Sequence, residues 1–246
     1  MPTEVRLCRG IDELKACVTL QKEVWNFSDY DLIPLRLFVV AEKIGGQVIG
    51  AFDAHDLIGF CMSIPGARDG KPYLHSHMLA VREDYRNSGI GRRLKLFQRE
   101  EALARGFELI EWTFDPLEIK NAWLNLEKLG AIARRYNQNQ YGNSSSPLQG
   151  GLPTDRLVAE WWIHSEHVEA LLRTSAHPPV RPELTIAVPA EIYTWKAAPQ
   201  HRHKAEQVQA RNRELFLSAF SRGLAVLGYQ RDAIGNGTFL LAKWKD

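Results

Sequence analysis

Apolar positions recur at two spacings along this 246-residue chain, and the changes between them predict its elements. Glu4 to Arg9 reads as a short strand. Ile11, Leu14, Val18 and Trp25 fall at helical spacing and predict a first helix. A second helix starts at Pro34, a good first-turn residue, and ends at Gly45-Gly46. Strand-like apolar runs follow at 47–53, 56–64 and 73–81, with Gly66, Asp69 and Gly70 in the turn between the last two. After the loop YRNSGIG, an amphipathic helix carries Ile90, Leu94, Phe97 and Ala104 on one face, and Gly106 ends it. Residues 107–114 (FELIEWTF) read as a buried strand. Asp115-Pro116-Leu117-Glu118 then reads as a helix start, with Asp115 as cap and Glu118 reaching back. That helix is expected to bury Ile119, Ala122, Trp123, Leu126 and Leu129 before Gly130 closes it. Strands near 131–136 and 155–164 complete a first domain over residues 1–172.

The stretch 173–189 holds four of the 12 prolines, so 173–183 is expected to be a linker. Beyond it, 184–195, 200–224, 225–231 and 237–244 read as strand, helix, strand, strand, a C-terminal βαββ extension over 184–246. Leu217, Phe220 and Leu224 give its helix an apolar face, and Gly235-Asn236-Gly237 makes the last hairpin turn.

Composition narrows the function classes. Apolar residues make up 45% and charged residues 24%, which is globular and neither fibrous nor disordered. A net charge of +2 gives no reason to expect nucleic acid or an anionic membrane as partner. No apolar run approaches the ~18 residues of a membrane span. The first residues, MPTEVRLCRGIDEL, carry acids where a signal peptide has an apolar core. Cys8, Cys17 and Cys61 are odd in number, widely spaced and without a CxxC pair, so idle thiols in a reducing, cytoplasmic setting are expected. His201, His203, Lys204, Arg211 and Arg213 lie in the C-terminal helix, whose mild basic bias reads as a solvated face.

The chemistry-bearing segment is 73–106, YLHSHMLAVREDYRNSGIGRRLKLFQREEALARG, where a strand feeds a glycine-containing loop that opens into a helix. Amides at such a helix start lack intrahelical partners and the helix dipole favours negative charge there. Gly89 and Gly91 let a phosphate approach the backbone, so the loop suits a pyrophosphate. It is not a P-loop, because Arg92-Arg93 follows Gly91 where GK[ST] would require Lys and Ser or Thr. Nor is it a dinucleotide fingerprint, since Leu94 stands at the third glycine. His75 and His77, two apart in a strand, share a face, and an imidazole suits removal of an ammonium proton near neutral pH. The same spacing could hold a metal, but the sequence identifies no third ligand, and no metal is expected.

Arg86-Asn87-Ser88-Gly89-Ile90-Gly91, preceded by Leu79-Ala80-Val81, resembles the coenzyme-A signature [QR]-x-x-G-x-[GA] of the GNAT acyltransferase superfamily. The element order over residues 4 to about 164 is similar as well. The resemblance implies an α/β fold with a mixed, mostly antiparallel sheet flanked by helices. It also implies acetyl-CoA or another acyl-CoA as cosubstrate, with pantetheine along Met78, Leu79, Ala80 and Val81. Pyrophosphate would then lie on the amides of Arg86 to Gly91, with Arg92, Arg93 or Lys95 near the nucleotide phosphates. The run His75-Ser76-His77-Met78-Leu79-Ala80-Val81 also resembles the HxHxLAV segment of arylalkylamine N-acetyltransferases, which implies a two-histidine proton relay.

The general acid departs from the family pattern N-x-x-A-x-x-L-Y-E-K-L-G-F. Ala122 and Glu127-Lys128-Leu129-Gly130 match, but Leu126 stands at the tyrosine and Ile119 at the asparagine, for which Asn121 is a substitute. Tyr136 or Tyr141 could donate instead, or the thiolate could leave unaided. The glycine- and serine-rich run from residue 141 leads to Asp155 and Arg156, which would suit an amine and a carboxylate respectively. The expected activity is N-acyl transfer to a small primary amine, an amino acid among the candidates, by direct attack; a homodimer is the candidate assembly. The rival is a catalytically degenerate domain that holds acyl-CoA as a sensor or scaffold.

Overall fold

The computed structural model describes residues 3–142, 144–174 and 179–244. Part of the expected linker (175–178) and Asn143 of the serine-rich loop lie outside the described residues. The chain divides into two compact units, residues 1–112 and 113–246.

In the first unit, β1 (Glu4–Leu7), β2 (Gln47–Asp53), β3 (Asp56–Arg68) and β4 (Lys71–Val81) pair antiparallel in that order. β5 (Leu109–Phe114), which runs across the unit boundary, joins β4 in parallel, through Leu74 with Ile110 and His75 with Glu111. Helices α1 (Gly10–Trp25) and α2 (Leu35–Lys43) bury Leu14, Leu20 and Phe38 against Phe60, Met62 and Met78. On the other face α3 (Ile90–Ala104) buries Ile90 and Leu94 against Ile49, Ile58 and Cys61. The apolar face of α3 continues through Ala102, which is fully buried, while Ala104 is exposed. A helix turns 100° per residue, so Ala102 falls on the side of buried Lys95 and Gln98, and Ala104 on the opposite side.

The second unit holds a further antiparallel set in the order β7 (Arg156–Trp162), β6 (Ile132–Asn137), β9 (Leu224–Arg231), β10 (Gly237–Lys243), β8 (Leu184–Val188). β9 meets β6 through Ala133 and Val226, so the C-terminal strands extend that sheet. The expected helix after Asp115 is shorter and irregular: α4 covers only Ile119–Ala122 and continues as a π-helix over Trp123–Lys128. Asp115 Oδ1 accepts the Leu117 amide at 2.8 Å, but the Glu118 carboxylate turns to Lys196 Nζ at 2.9 Å rather than back to the cap. The wider π-turn moves the buried stripe, so Asn125 is enclosed beside Leu126 while Trp123 stays half-exposed.

Three further elements differ from the sequence reading. α5 (Glu166–Thr174) was not anticipated, although Ser165 Oγ accepts the Val168 amide as a cap. The strand expected over 184–195 stops at Val188; Pro189, which cannot donate to a ladder, precedes a turn and α6 (Ile192–Ala197). α7 (Arg202–Ser221) buries Ala205, Val208, Phe216 and Ala219, leaving Leu217 exposed.

Candidate active site

The first unit brings the predicted histidine pair, the Met78–Val81 stretch and the glycine-containing loop onto one strand and the turn that follows it. β4 is flanked by β3 along its length, but among the described residues its pairing with β5 stops at His75 and Glu111 while β4 runs on to Val81. Met78 to Val81 therefore form a stretch whose β5 side is open from the fork onward, the edge on which an extended pantetheine arm could pair.

The strand is not regular at the fork. Met62 faces Met78 and Ser63 faces Ser76, which leaves His77 as an extra residue, a β-bulge. Its effect is visible in the packing. Ser76 bonds Lys95 of α3 and Leu79 packs with the α3 layer, although they are three positions apart. In an uninterrupted strand they would face opposite ways. His75 lies opposite Ile64, which packs with the α1–α2 layer, as does Met78. The two imidazoles stay together across the bulge, with ring centres 6.0 Å apart.

Both imidazoles are half-buried, and burial holds both below the usual histidine range. His75 is pushed down to about 4, with the neighbouring His77 adding to the effect of burial. Both rings are thus neutral at pH 7 and able to accept a proton. Opposite His75, Glu111 is 2% exposed and held bidentate by Arg68 at 2.5 and 2.7 Å.

At the end of β4 the chain makes a 3-10 turn (Glu83–Tyr85) and the loop 86–89, and α3 begins at Ile90. Arg86 Nε donates to the Val81 carbonyl at 3.2 Å, and Ser88 Oγ to the Tyr85 carbonyl at 2.5 Å. Gly89 has φ +87° and nothing within 4 Å of where a Cβ would stand, and Ile90 anchors the loop in the core. Asn87 also has positive φ, +62°. The loop thus presents an open, glycine-lined approach to the first-turn amides of α3, which have no intrahelical acceptors, and fits a pyrophosphate. Arg92 is half-exposed beside it. Arg93 donates to the Thr3 carbonyl at 2.6 Å. Lys95 is 2% exposed and points under the sheet, so it does not meet the phosphates as expected; at the sixth position of α3 it lies on the buried side.

In the second unit the remaining predicted residues have the following settings. Asn121 is exposed on α4. Leu126 is fully buried in the π-helix. Tyr141 is 49% exposed, and its hydroxyl shares a hydrogen bond with Thr113 Oγ1 at 3.0 Å. Tyr136 is engaged elsewhere: its hydroxyl donates to Asp155 at 2.6 Å, and burial together with that carboxylate raises its pKa. Asp155 is 0% exposed and also accepts from Arg213 Nε at 2.8 Å and from the Asn139 amide at 2.9 Å. Arg156 is half-buried; it donates to the Asp155 carbonyl and to Gln149 Oε1, and its guanidinium lies 5.6 Å from the Tyr141 ring centre. Sequence reasoning missed Glu111 and Lys95 as buried polar groups, and it read Arg213 as part of a solvated face where the structure pairs it with buried Asp155. The signal for Glu111 was present, a lone acid inside an apolar strand run.

Comparison with known proteins bears on the family and the fold. Residues 11–130 match the model described as Acetyltransferase (GNAT) family. An N-acetyltransferase from Staphylococcus aureus Mu50 superposes with a TM-score of 0.54 at 14% identity, over 66% of this chain and 99% of that one. Aminoglycoside 6'-acetyltransferase type Ii gives 0.52 at 18%, over 66% and 99%. The ribosomal-protein-S18-alanine N-acetyltransferase from Escherichia coli gives 0.52 at 15%, over 67% and 96%. No curated protein matches the sequence. Residues 11–130, just under half of the chain, thus form a GNAT-family acetyltransferase domain, and the mixed, mostly antiparallel α/β fold is the one seen in those solved structures.

Proposed function

We propose that this chain is a cytoplasmic acyl-CoA-dependent N-acyltransferase. It moves an acetyl or other short acyl group onto the primary amine of a small molecule, an amino acid being the candidate acceptor. The observation that carries the reading is the neutral histidine pair 6.0 Å apart on β4, on the strand that leads into a glycine-lined helix start. Loop residues Arg86 to Gly91, with Arg92, hold the pyrophosphate, and Met78 to Val81 pair with the pantetheine arm. His75 and His77 take the proton from the ammonium, directly or through water. The freed amine attacks the thioester carbonyl, the C–N bond forms as the C–S bond breaks, and the thiolate takes up a proton. A backbone amide of β4 stabilises the oxyanion. Tyr141, with its exposed hydroxyl, is the acid, and Asn121 takes the place of the family's asparagine. Of the Asp155–Arg156 pair, Arg156 meets a substrate carboxylate, while Asp155 holds the segment through Tyr136, Asn139 and Arg213. Residues 1–172 carry this chemistry and 184–246 extend it.

Buried Leu126 at the usual tyrosine position favours a second reading, a domain that binds acyl-CoA without turnover. Calorimetric titration with acetyl-CoA, succinyl-CoA and free CoA, followed by an amine panel, separates the two. Discrimination among acyl groups with amine-dependent CoA release supports the enzyme. Equal binding of all three without release supports the sensor, and no binding rejects both.

A further inference from the structure

Lys95 leaves the middle of α3 and is buried beneath the sheet, 2% exposed. Its Nζ donates to Ser76 Oγ at 3.1 Å and to Gln98 Oε1 at 2.5 Å, and lies 3.7 Å from the Trp112 ring centre. These contacts have a specific position in the fold. Parallel pairing of β4 with β5 consists of Leu74 with Ile110 and His75 with Glu111. Ser76 is the first residue of β4 past the last pair, and Trp112 is the first residue of β5 past it. One ammonium therefore touches both strands at the point where they part, immediately before the bulge at His77.

Stability alone does not call for a cation here. Enclosing an ammonium carries a desolvation cost, and an apolar side chain of similar length would fill the space without it. The contacts made in return include charge-assisted hydrogen bonds to Ser76 and Gln98 and a desolvated cation–π pair with Trp112. What an apolar side chain could not supply is a directional hold on Ser76 together with a positive charge near the histidines.

We propose that Lys95 is a positioning residue for the acyl-transfer site, bridging Ser76 and Trp112 at the β4–β5 fork and thereby setting the backbone that carries His75 and His77. The role in catalysis rests on the acyltransferase reading above; the structural and electrostatic role does not. The titratable groups acting on His75 come from β4, α3, β3 and β5: His77 when protonated, Lys95 and Arg68 disfavour its protonation, and Glu111 favours it. Burial brings Lys95 itself down to about 7, so its charge varies over the neutral range.

The test compares Lys95→Met and Ser76→Ala in the full chain by histidine proton NMR titration and by steady-state kinetics. Lys95→Met is expected to move the His75 midpoint upward. It should also lower kcat on the order of tenfold while KM for the CoA thioester stays within about twofold, because misplacement acts on the reacting geometry. Ser76→Ala removes one leg of the bridge without removing the charge, so it should lower kcat and leave the His75 midpoint in place. The double variant should be no slower than Lys95→Met alone. A folded Lys95→Met with an unmoved His75 midpoint, or with wild-type kcat, overturns the proposal. If Lys95→Met does not fold, wild-type kcat in Ser76→Ala overturns it and a lowered kcat sustains it. Should the wild-type protein turn over no amine, the acyltransferase reading fails, and the NMR titration still decides the electrostatic role.

Discussion

His75 and His77 keep their ring centres 6.0 Å apart although the second of them is the extra residue of a β-bulge. Burial leaves both unprotonated at neutral pH, with His75 at about 4. The acid limb of the pH–rate profile is therefore expected well below the ordinary histidine value of about 6.5. Replacing both by glutamine should lower kcat by about 10²-fold or more with little change in the Kd of free CoA. Rate profiles and calorimetry on the double variant check this, and unaltered turnover would remove the relay.

The same depression has a stability consequence. A histidine whose folded-state pKa lies below its unfolded value binds more protons when unfolded, so its contribution is present above about pH 6.5 and is lost as pH falls toward 4. Thermal midpoints measured from pH 7 to pH 4 should fall more steeply for the wild-type protein than for His75→Gln.

Gly89 holds φ +87° in open space, so alanine there meets no neighbour but adopts a backbone that L residues avoid. Gly89→Ala should cost about 1–2 kcal/mol and weaken CoA binding, whereas Gly89→Asn, which tolerates the left-handed region, should lose less. Equal affinity in both variants and the wild type would show that the loop does not cradle the ligand.

Asp155 is enclosed with the Tyr136 hydroxyl, the Arg213 guanidinium and the Asn139 amide. Asp155→Asn removes the charge that Arg213 pairs with and is expected to destabilise the protein by roughly 2–4 kcal/mol in urea unfolding. A loss below 0.5 kcal/mol would mean the network is dispensable.

Cys8, Cys17 and Cys61 are all buried and free. Burial pushes the Cys61 thiol up to about 12, and the hydrogen bond shared with Cys8, together with burial, raises Cys17. The native protein should resist a thiol reagent at pH 8 and react at three sites only after denaturation. A rapid native phase would contradict the packing.

Much of this protein was legible in its sequence because the deciding physics is local. The strand–loop–helix around Arg86 to Gly91 follows from residue order, since glycine, helix start and preceding strand are neighbours in the chain. The order of strands β1 to β4 and helices α1 to α3 followed from hydrophobic period for the same reason. What the period could not carry were events set by a neighbour distant in sequence. The bulge at His77 exists in the register with Met62 and Ser63; an alternating pattern reads the same with or without it. The Glu118 side chain abandons its capping role because Lys196, far along the chain, offers a buried cation. Lys95 reads as one more charge on an amphipathic helix and becomes a buried bridge only once Ser76 and Trp112 close around it. Sequence determined which groups are available for acyl transfer; tertiary packing decided their protonation, because removal from water, and not spacing, moves an imidazole or an ammonium off its ordinary pKa.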